Sequence, residues 1–443
     1  MKIEGITVVS PMYGDLNITN RMVMSVITQF ISKKNPFKIH LVLVDDYIEK
    51  RGKNGESYYD YYVSDEFKKL YDTSKIEITI LCNKDHKYQG ESRELGYMAG
   101  NYPYFVLLDC DDMLAPNCCD KYISILREEA SKKDSKPISC IQGLLYGFDT
   151  NGYTQIIRGD SIWVQSRCYN RNFLVKNNIH FPKGTNSKCS EDYPFIKKLD
   201  YAIAHDQNFN CVNVNFNDHS KHCQCTAYWF PNDNSLSRRD PHYGQHLSGW
   251  TMQSSNSILD YYEEYNELNG FNDKEDEILK QEYLNMTIYA FNNLLDFIKE
   301  VSSRGYIPIE EDWYAVRDNV SKLRNRLKNK YWDEIIISDV ERMLFTVRKY
   351  SDCRVVESWI GTFFDFMNSD KIDILEMSYD EMIDYANTLL FDEADHEIHS
   401  KQVQAWVKRH NVDFGDVVKS AERANRMRIE AIKERYNGII NIE

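Results

Sequence analysis

Residues 104–112 read YFVLLDCDD, an unbroken apolar run that ends in three carboxylates, Asp109, Asp111 and Asp112. A strand that is apolar at every position is covered on both faces, as in a parallel sheet sandwiched by helices. A second stretch, LVLVDD at 41–46, repeats the pattern and ends in Asp45 and Asp46. Working outward, β-rich runs at 6–9, 39–44, 76–81 and 104–108 alternate with segments of helical composition. That alternation predicts βαβ units and a mostly parallel, Rossmann-like sheet with helices on both faces over residues 1–145. Ligands of such sheets gather at the carboxyl ends of the strands, where both acidic tips would face one crevice.

The character of the chain changes twice after that. Residues 146–250 mix aromatic and polar residues with turn signals at Pro182-Lys183-Gly184 and Pro231-Asn232-Asp233-Asn234, the look of an acceptor-side region rich in loops. From 255 to 443 apolar residues fall at helical spacing between charged ones, as in ILDYYEEYNEL and ILKQEYLNMTIYAFNNLLDFIKEV, which predicts an all-α C-terminal domain. The expected division is therefore 1–250 and 255–443. The last stretch, VVKSAERANRMRIEAIKERY, reads as a solvated or partner-binding helix, and the helical half as a surface through which copies could associate.

Charge narrows the function classes. A formal net charge of −14 opposes a broad basic face for a polyanion, so a nucleic-acid partner is disfavoured. A modified DNA base as acceptor would need a basic cleft supplied by Arg167, Arg171, Lys176 and Lys183. The 11 cysteines are odd in number and irregularly spaced, with no secretory leader and no long apolar span, which leads us to expect reduced thiols and a cytoplasmic protein.

Alone, the Asp-x-Asp-Asp cluster could be an acidic turn ahead of a helix opened by Pro116 and Asn117. Hard oxygen donors at that spacing also suit Mg²⁺ or Mn²⁺ and, through the ion, a diphosphate. Ser10-Pro11-Met12-Tyr13-Gly14-Asp15 follows the first strand, and Ser92-Arg93-Glu94-Leu95-Gly96 lies on a predicted helix. Farther on, NRNFLVKNNIHFPKGTNSKCSEDYPFIKKL spans 170–199. In their order, Pro11-x-Tyr13, Val44-Asp45-Asp46, Arg93 with Gly96, Asp109-x-Asp111-Asp112 and Glu191-Asp192 resemble the motifs of the inverting family-two glycosyltransferases. The resemblance covers about residues 1–240. It departs from the pattern at Gly14, Tyr47 and Glu94, where Asn, Gly and Asn are usual.

That resemblance implies a GT-A fold and a metal-dependent hexosyl- or pentosyltransferase. The donor would be a nucleotide-diphosphate sugar, with UDP-sugar first among them. The acceptor would be a hydroxyl of a glycan, a lipid-linked sugar or a protein. By the same resemblance Pro11, Tyr13, Asp15, Asp45, Asp46 and Arg93 hold the nucleotide, and Asp109 and Asp111 flank the sugar-nucleotide and metal, with Asp111 preferred as direct ligand and Asp112 behind it or an alternative ligand. Asp192, with Glu191 second, is the expected general base. The pair also reads as helix N-terminal carboxylates behind a capping Ser190, and Arg93 as a surface ion pair. His219 and His222 are candidate ligands for the same metal, since Cys223 and Cys225 beside them lack a partner pair at zinc-finger spacing. Arg238, beside Arg239 in a loop over 228–239, is a candidate counter-charge for the diphosphate. Trp163, Trp229 and Trp250 read as core before sugar platforms. The rival class is a nucleotide-sugar-binding scaffold without turnover. A nucleotidyltransferase ranks low, because no glycine-rich phosphate loop with a lysine follows the first strand.

Overall fold

The computed structural model describes residues 3–13, 16–34, 36–46, 58–148, 154–158, 164–183, 191–213, 225–230, 243–270, 273–304, 309–335, 339–340, 363–368 and 373–388. By backbone proximity the chain divides into two compact units, Met1–Arg239 and Asp240–Glu443.

In the first unit the predicted strands form as β1 (Gly5–Met12), β2 (Lys38–Asp45), β3 (Ile76–Cys82) and β4 (Tyr104–Leu107). Helices α1 (Leu16–Ile27), α2 (Asp65–Leu70) and α3 (Tyr88–Ala99) lie between them in sequence. A two-residue strand β5 (Met113–Leu114) and α4 (Cys118–Ser131) follow, then β6 (Ile138–Gln142), β7 (Leu144–Phe148), β8 (Thr154–Arg158) and β9 (Arg167–Asn170). The unit continues with α5 (Arg171–Lys176), α6 (Asp192–His205), β10 (Asn210–Asn213) and β11 (Cys225–Trp229). The seven-stranded sheet has the order β10-β6-β9-β4-β1-β2-β3 and is parallel except for β9, which runs against both neighbours. A second sheet, β5-β11-β7-β8, was not anticipated. Strands β8 and β11 fall in the region that reads as loop, and β5 and β7 are too short to show an alternating pattern.

The two faces of β1 show why the sheet is covered on both sides. Ile6, Val8 and Met12 join Met22, Val23 and Val26 of α1 and Tyr122, Ile123 and Leu126 of α4 in one buried cluster. On the other face Val9 meets Gly96 of α3, where a Cβ atom would stand 2.3 Å from Val9 Cγ1 and 3.0 Å from Val44 Cγ2. Glycine at 96 therefore lets α3 lie directly on β1 and β2, and it fixes the height at which Arg93 leaves the helix. Chain order reverses between β1 and β4, since β2 and β3 extend to one side of β1 and β4 lies on the other. The crevice at such a reversal is the expected ligand position of an open α/β sheet.

The second unit is helical: α7 (Tyr243–Asn269), α8 (Asp273–Arg304), α9 (Glu310–Lys330) and α10 (Tyr379–Thr388). Helix α7 begins at Tyr243, earlier than the change of composition near 255, because YGQHLSGWTMQSSN carries little helical periodicity. It ends at Gly270, whose φ of +82° is the left-handed conformation that stops helices. Ile258, Tyr262, Leu284, Phe291, Trp313, Val320 and Leu327 form the buried seams. Buried Arg324 grips Asp373 through two 2.9 Å hydrogen bonds, Nη1 to Oδ1 and Nη2 to Oδ2. No described helix is long and apolar enough to cross a membrane.

Candidate active site

The tips of β1, β2, β3 and β4 are stitched together by backbone hydrogen bonds. Asp46 N donates to Met12 O at 3.0 Å, Asn83 N to Asp45 O at 2.9 Å and Leu108 N to Val9 O at 2.9 Å. The acidic residues that follow β2 and β4 are thus carried on one rigid edge.

Buried Asp46 is gripped by three donors. Its Oδ1 accepts from Asn83 Nδ2 at 2.7 Å and Lys87 N at 2.8 Å, and its Oδ2 lies 2.7 Å from His86 Nδ1. The His86 ring is 5.0 Å from that of Tyr13 and 4.1 Å from that of Tyr88, centroid to centroid. Tyr13 is 46% exposed, so an aromatic surface stands open beside the buried carboxylate. Pro11 and Asp45 are buried at the ends of paired β1 and β2 and shape the floor. Tyr88 has a φ of +63°, a costly left-handed turn that starts α3 just before Gln89.

Arg93 is the hub. It is 1% exposed and donates from Nη2 to Asp109 Oδ1 at 2.7 Å, and from Nη1 to Glu191 Oε1 at 2.7 Å and Asp192 Oδ1 at 2.6 Å. Burial works against its charge, and Asp109, Asp192 and Glu191 more than offset it. The reading of Arg93 as a helix-surface ion pair is therefore corrected: the helix packs its arginine inward because carboxylates from two other segments converge there.

Both carboxylate oxygens of Asp109 accept from protein donors. Its Oδ1 also accepts from Gln89 Nε2 at 2.8 Å, and its Oδ2 accepts from Gln165 Nε2. Asp112 differs. It is completely buried, its Oδ1 accepts from Phe230 N at 3.2 Å, and its Oδ2 has no hydrogen-bond partner. Burial, reinforced by Asp109 and Asp111, pushes its carboxyl well above the usual range. Ligand oxygens of Asp109, Asp111 and Asp112 all lie within 4.8 Å of one another, the one such group of three metal-ligating residues among the described residues. Arg21 of α1 donates to the Asp111 carbonyl, and its guanidinium lies 4.2 Å from the Phe230 ring centroid. The turn is held from two sides.

At Glu191 and Asp192 the helix-terminal reading holds for position, since Asp192 lies in the first turn of α6, while Ser190 lies outside the described residues. Asn117 is the N-cap of α4 and makes no side-chain cap bond, and Asp112 is fully buried. Glu191 stands at the N-cap of α6, also without a cap bond, because its carboxylate is spent on Arg93. Asp192 opens α6 with its side chain 21% exposed. Burial pushes its carboxyl well above the usual range against the pull of Arg93, and Glu191 and Asp109 add to the rise.

Of the four cations proposed for a nucleic-acid cleft, Lys183 is exposed, whereas the other three are engaged by neighbouring groups. Arg167 is fully buried and pairs with Asp200 at 2.7 Å, Arg171 donates to the carbonyls of Tyr97, Met98 and Gly100, and Lys176 pairs with Asp206 at 2.6 Å. Trp229 packs against the core of the first unit. Asp15, His219, His222, Arg238 and Trp163 lie outside the described residues.

Gln89, Gln165, Asn83, His86, Arg21 and Phe230 were missed in the sequence. Gln89 is legible in retrospect, four residues before Arg93 on the same helix face. Asn83 follows β3 as Asp46 follows β2, so the strand-tip rule reaches it too. Gln165 and Phe230 carry no local signal.

A mostly parallel sheet, a chain reversal between β1 and β4, and carboxylates at the tips around it define a GT-A-like α/β fold. Among solved structures, the first 349 residues of Staphylococcus aureus TarS, in complex with UDP-GlcNAc, match at a TM-score of 0.51 and 11% identity, over 82% of this chain and 92% of that one. A mannosyltransferase from Pyrobaculum calidifontis, in complex with GDP-Man and Mn²⁺, matches at a TM-score of 0.37 and 8% identity over 87% and 88% of the two chains, too low to bear weight. The likeness to TarS extends to the fold alone. No family model and no curated protein matches the chain.

Proposed function

We propose that this chain is an inverting, metal-dependent glycosyltransferase that moves a sugar from a nucleoside diphosphate to an acceptor hydroxyl. The carrying observation is the Arg93 hub. One buried guanidinium ties Asp109, beside the candidate metal cluster, to Glu191 and Asp192, the candidate base pair. That shared guanidinium supports a reading in which the leaving-group side and the proton acceptor are held close to one another.

In this reading the chain's own residues divide the work. Asp46, backed by Asn83, Lys87 N and His86, accepts from the base or ribose, and Tyr13 offers a ring face to the base. Pro11, Asp45 and Asp15 complete the nucleotide side. Asp111 and Asp112 hold Mg²⁺ or Mn²⁺, and the unpartnered buried Oδ2 of Asp112 fits that task. Bound there, the ion would neutralise charge on the departing diphosphate. Asp109, with both oxygens already accepting from Gln89, Gln165 and Arg93, serves to orient. Asp192 takes the acceptor proton as that hydroxyl oxygen attacks the anomeric carbon and the bond to the diphosphate breaks. His219, His222 and Arg238 stay candidates beside the metal and diphosphate. The organisation into a catalytic part at 1–250 and a helical part at 255–443, and any association through the latter, belong to the same proposal. A UDP-sugar is favoured as donor because the TarS structure was solved with UDP-GlcNAc.

The test is a screen of UDP-, GDP- and TDP-sugars for release of the nucleoside diphosphate with Mg²⁺ or Mn²⁺, using the intact chain, Asp111→Ala and Asp192→Asn. Metal-dependent release that both substitutions abolish supports the assignment. Tight donor binding without turnover on any acceptor would favour a sugar-nucleotide-binding scaffold.

A further inference from the structure

Two cysteines lie side by side in the outermost strand pair of the large sheet, away from the groups assigned above. Cys211 on edge strand β10 is in register with Cys140 on β6, and a shift of register falls between Asn210 and Cys211. The two thiols are hydrogen-bonded to each other. Paired strands run about 4.8 Å apart, within the Cα separation of roughly 4.4–6.8 Å that a disulfide spans. Cys140 is fully buried, whereas Cys211 is partly exposed.

Their surroundings differ in a useful way. Buried Arg167 of β9 acts on both sulfurs while its Nη1 is anchored by Asp200 of α6 at 2.7 Å. The hydrogen bond from Cys140, assisted by Arg167, holds Cys211 below the ordinary thiol range in spite of burial. Burial first, then the same hydrogen bond, push Cys140 up. A partly exposed thiol next to a cation, with a second thiol in contact, is the arrangement of an oxidisable cysteine and its resolving partner.

We propose that Cys211 is a peroxide-reactive thiol and that Cys140 resolves it, closing a disulfide between β10 and β6. The Cys211 thiolate attacks one oxygen of hydrogen peroxide, the O–O bond breaks, and hydroxide leaves a sulfenic acid on Cys211. The Cys140 sulfur attacks that sulfur, the S–O bond breaks, and the hydroxyl leaves with the Cys140 proton as water. One peroxide is reduced by two electrons, and two thiols become one disulfide.

The experiment treats the full chain with graded hydrogen peroxide, blocks remaining thiols with N-ethylmaleimide and maps every cysteine by peptide mass spectrometry. Cys82, exposed on β3, is the internal reference. We expect a Cys140–Cys211 cross-linked peptide at about one tenth of the peroxide that modifies Cys82, the advantage of a stabilised thiolate. Cys140→Ser should leave a sulfenic acid at Cys211 that dimedone labels. Oxidation of Cys82 ahead of Cys211, or oxidised Cys211 beside a Cys140 still blocked by maleimide, overturns the proposal. The mapping uses the unsubstituted chain, so a poorly folding variant cannot obscure it, and it does not depend on transferase activity.

Discussion

Replacing Arg93 by methionine removes the one cation that Asp109, Glu191 and Asp192 share, while keeping most of the side-chain volume. Breaking a buried ion pair from one side costs about 3–5 kcal/mol, because the remaining charge is left in a poorly solvated site. For a unit of this size 1 kcal/mol moves the melting temperature by roughly 2–4 °C, so a fall of about 6–20 °C is expected by calorimetry near pH 8. The sign of the pH dependence follows from Asp192. Its native carboxyl already lies above the usual range, so the native state holds that proton more tightly than the unfolded chain. Its contribution to stability is complete below the unfolded value of about 3.9 and is lost as pH rises through the native one. Without Arg93 the native value climbs further, and the deficit of Arg93→Met must shrink between pH 8 and pH 5. A loss below about 1 kcal/mol, or one that is equal at both pH values, would refute the hub as described.

Divalent cations should raise the melting temperature of the intact chain, and by more at pH 8 than at pH 5, because protons compete for the elevated Asp112 carboxyl; thermal-shift titrations with Mn²⁺ check this, and Asp111→Ala with Asp112→Asn should abolish it. Gly96→Ala would force a Cβ atom to 2.3 Å from Val9 and should cost about 2–3 kcal/mol in urea unfolding. Gln165→Leu frees Asp109 Oδ2 and should lower kcat/KM for a nucleotide sugar by about tenfold with little change in melting temperature, read by steady-state kinetics beside calorimetry. Asn83→Ala removes one of the three donors on Asp46 and should weaken binding of the bare nucleoside diphosphate by about tenfold in titration calorimetry.

The Rossmann-like half was legible because the LVLV and FVLL runs of β2 and β4 are apolar at every position, and because acidic residues after them mark the carboxyl edge. The second sheet was not. Strands β7, β8 and β11 are five residues each, and β11 joins β7 across about 80 residues, so local periodicity carries little trace of the sheet. Asp109, Asp112 and Arg93 could be picked out as residues, yet their partners could not. That Arg93 turns inward depends on Glu191 and Asp192, which lie 98 and 99 residues away. Three of the four cations imagined around a cleft illustrate the converse. Composition suggested charge, while the fold spends Arg167 on Asp200, Arg171 on three carbonyls at the end of α3, and Lys176 on Asp206.

The acidic cluster divides along the same lines. Three carboxylates within 4.8 Å would repel one another if all were charged and unsupported. The fold treats them unequally: Asp109 receives three donors, one of them a guanidinium, whereas buried Asp112 receives one backbone N–H and is pushed toward its neutral form. The oxygen that lacks a partner is therefore on Asp112, and a divalent cation is the kind of group that would at once satisfy it, lower its proton affinity and relieve the repulsion from Asp111. Asp109 gains least from such an ion, since Arg93 already compensates its charge. Under the proposed function a divalent cation is expected to add stability as well as support turnover, and Asp112, ranked after Asp111 on sequence grounds, becomes the more informative residue to change.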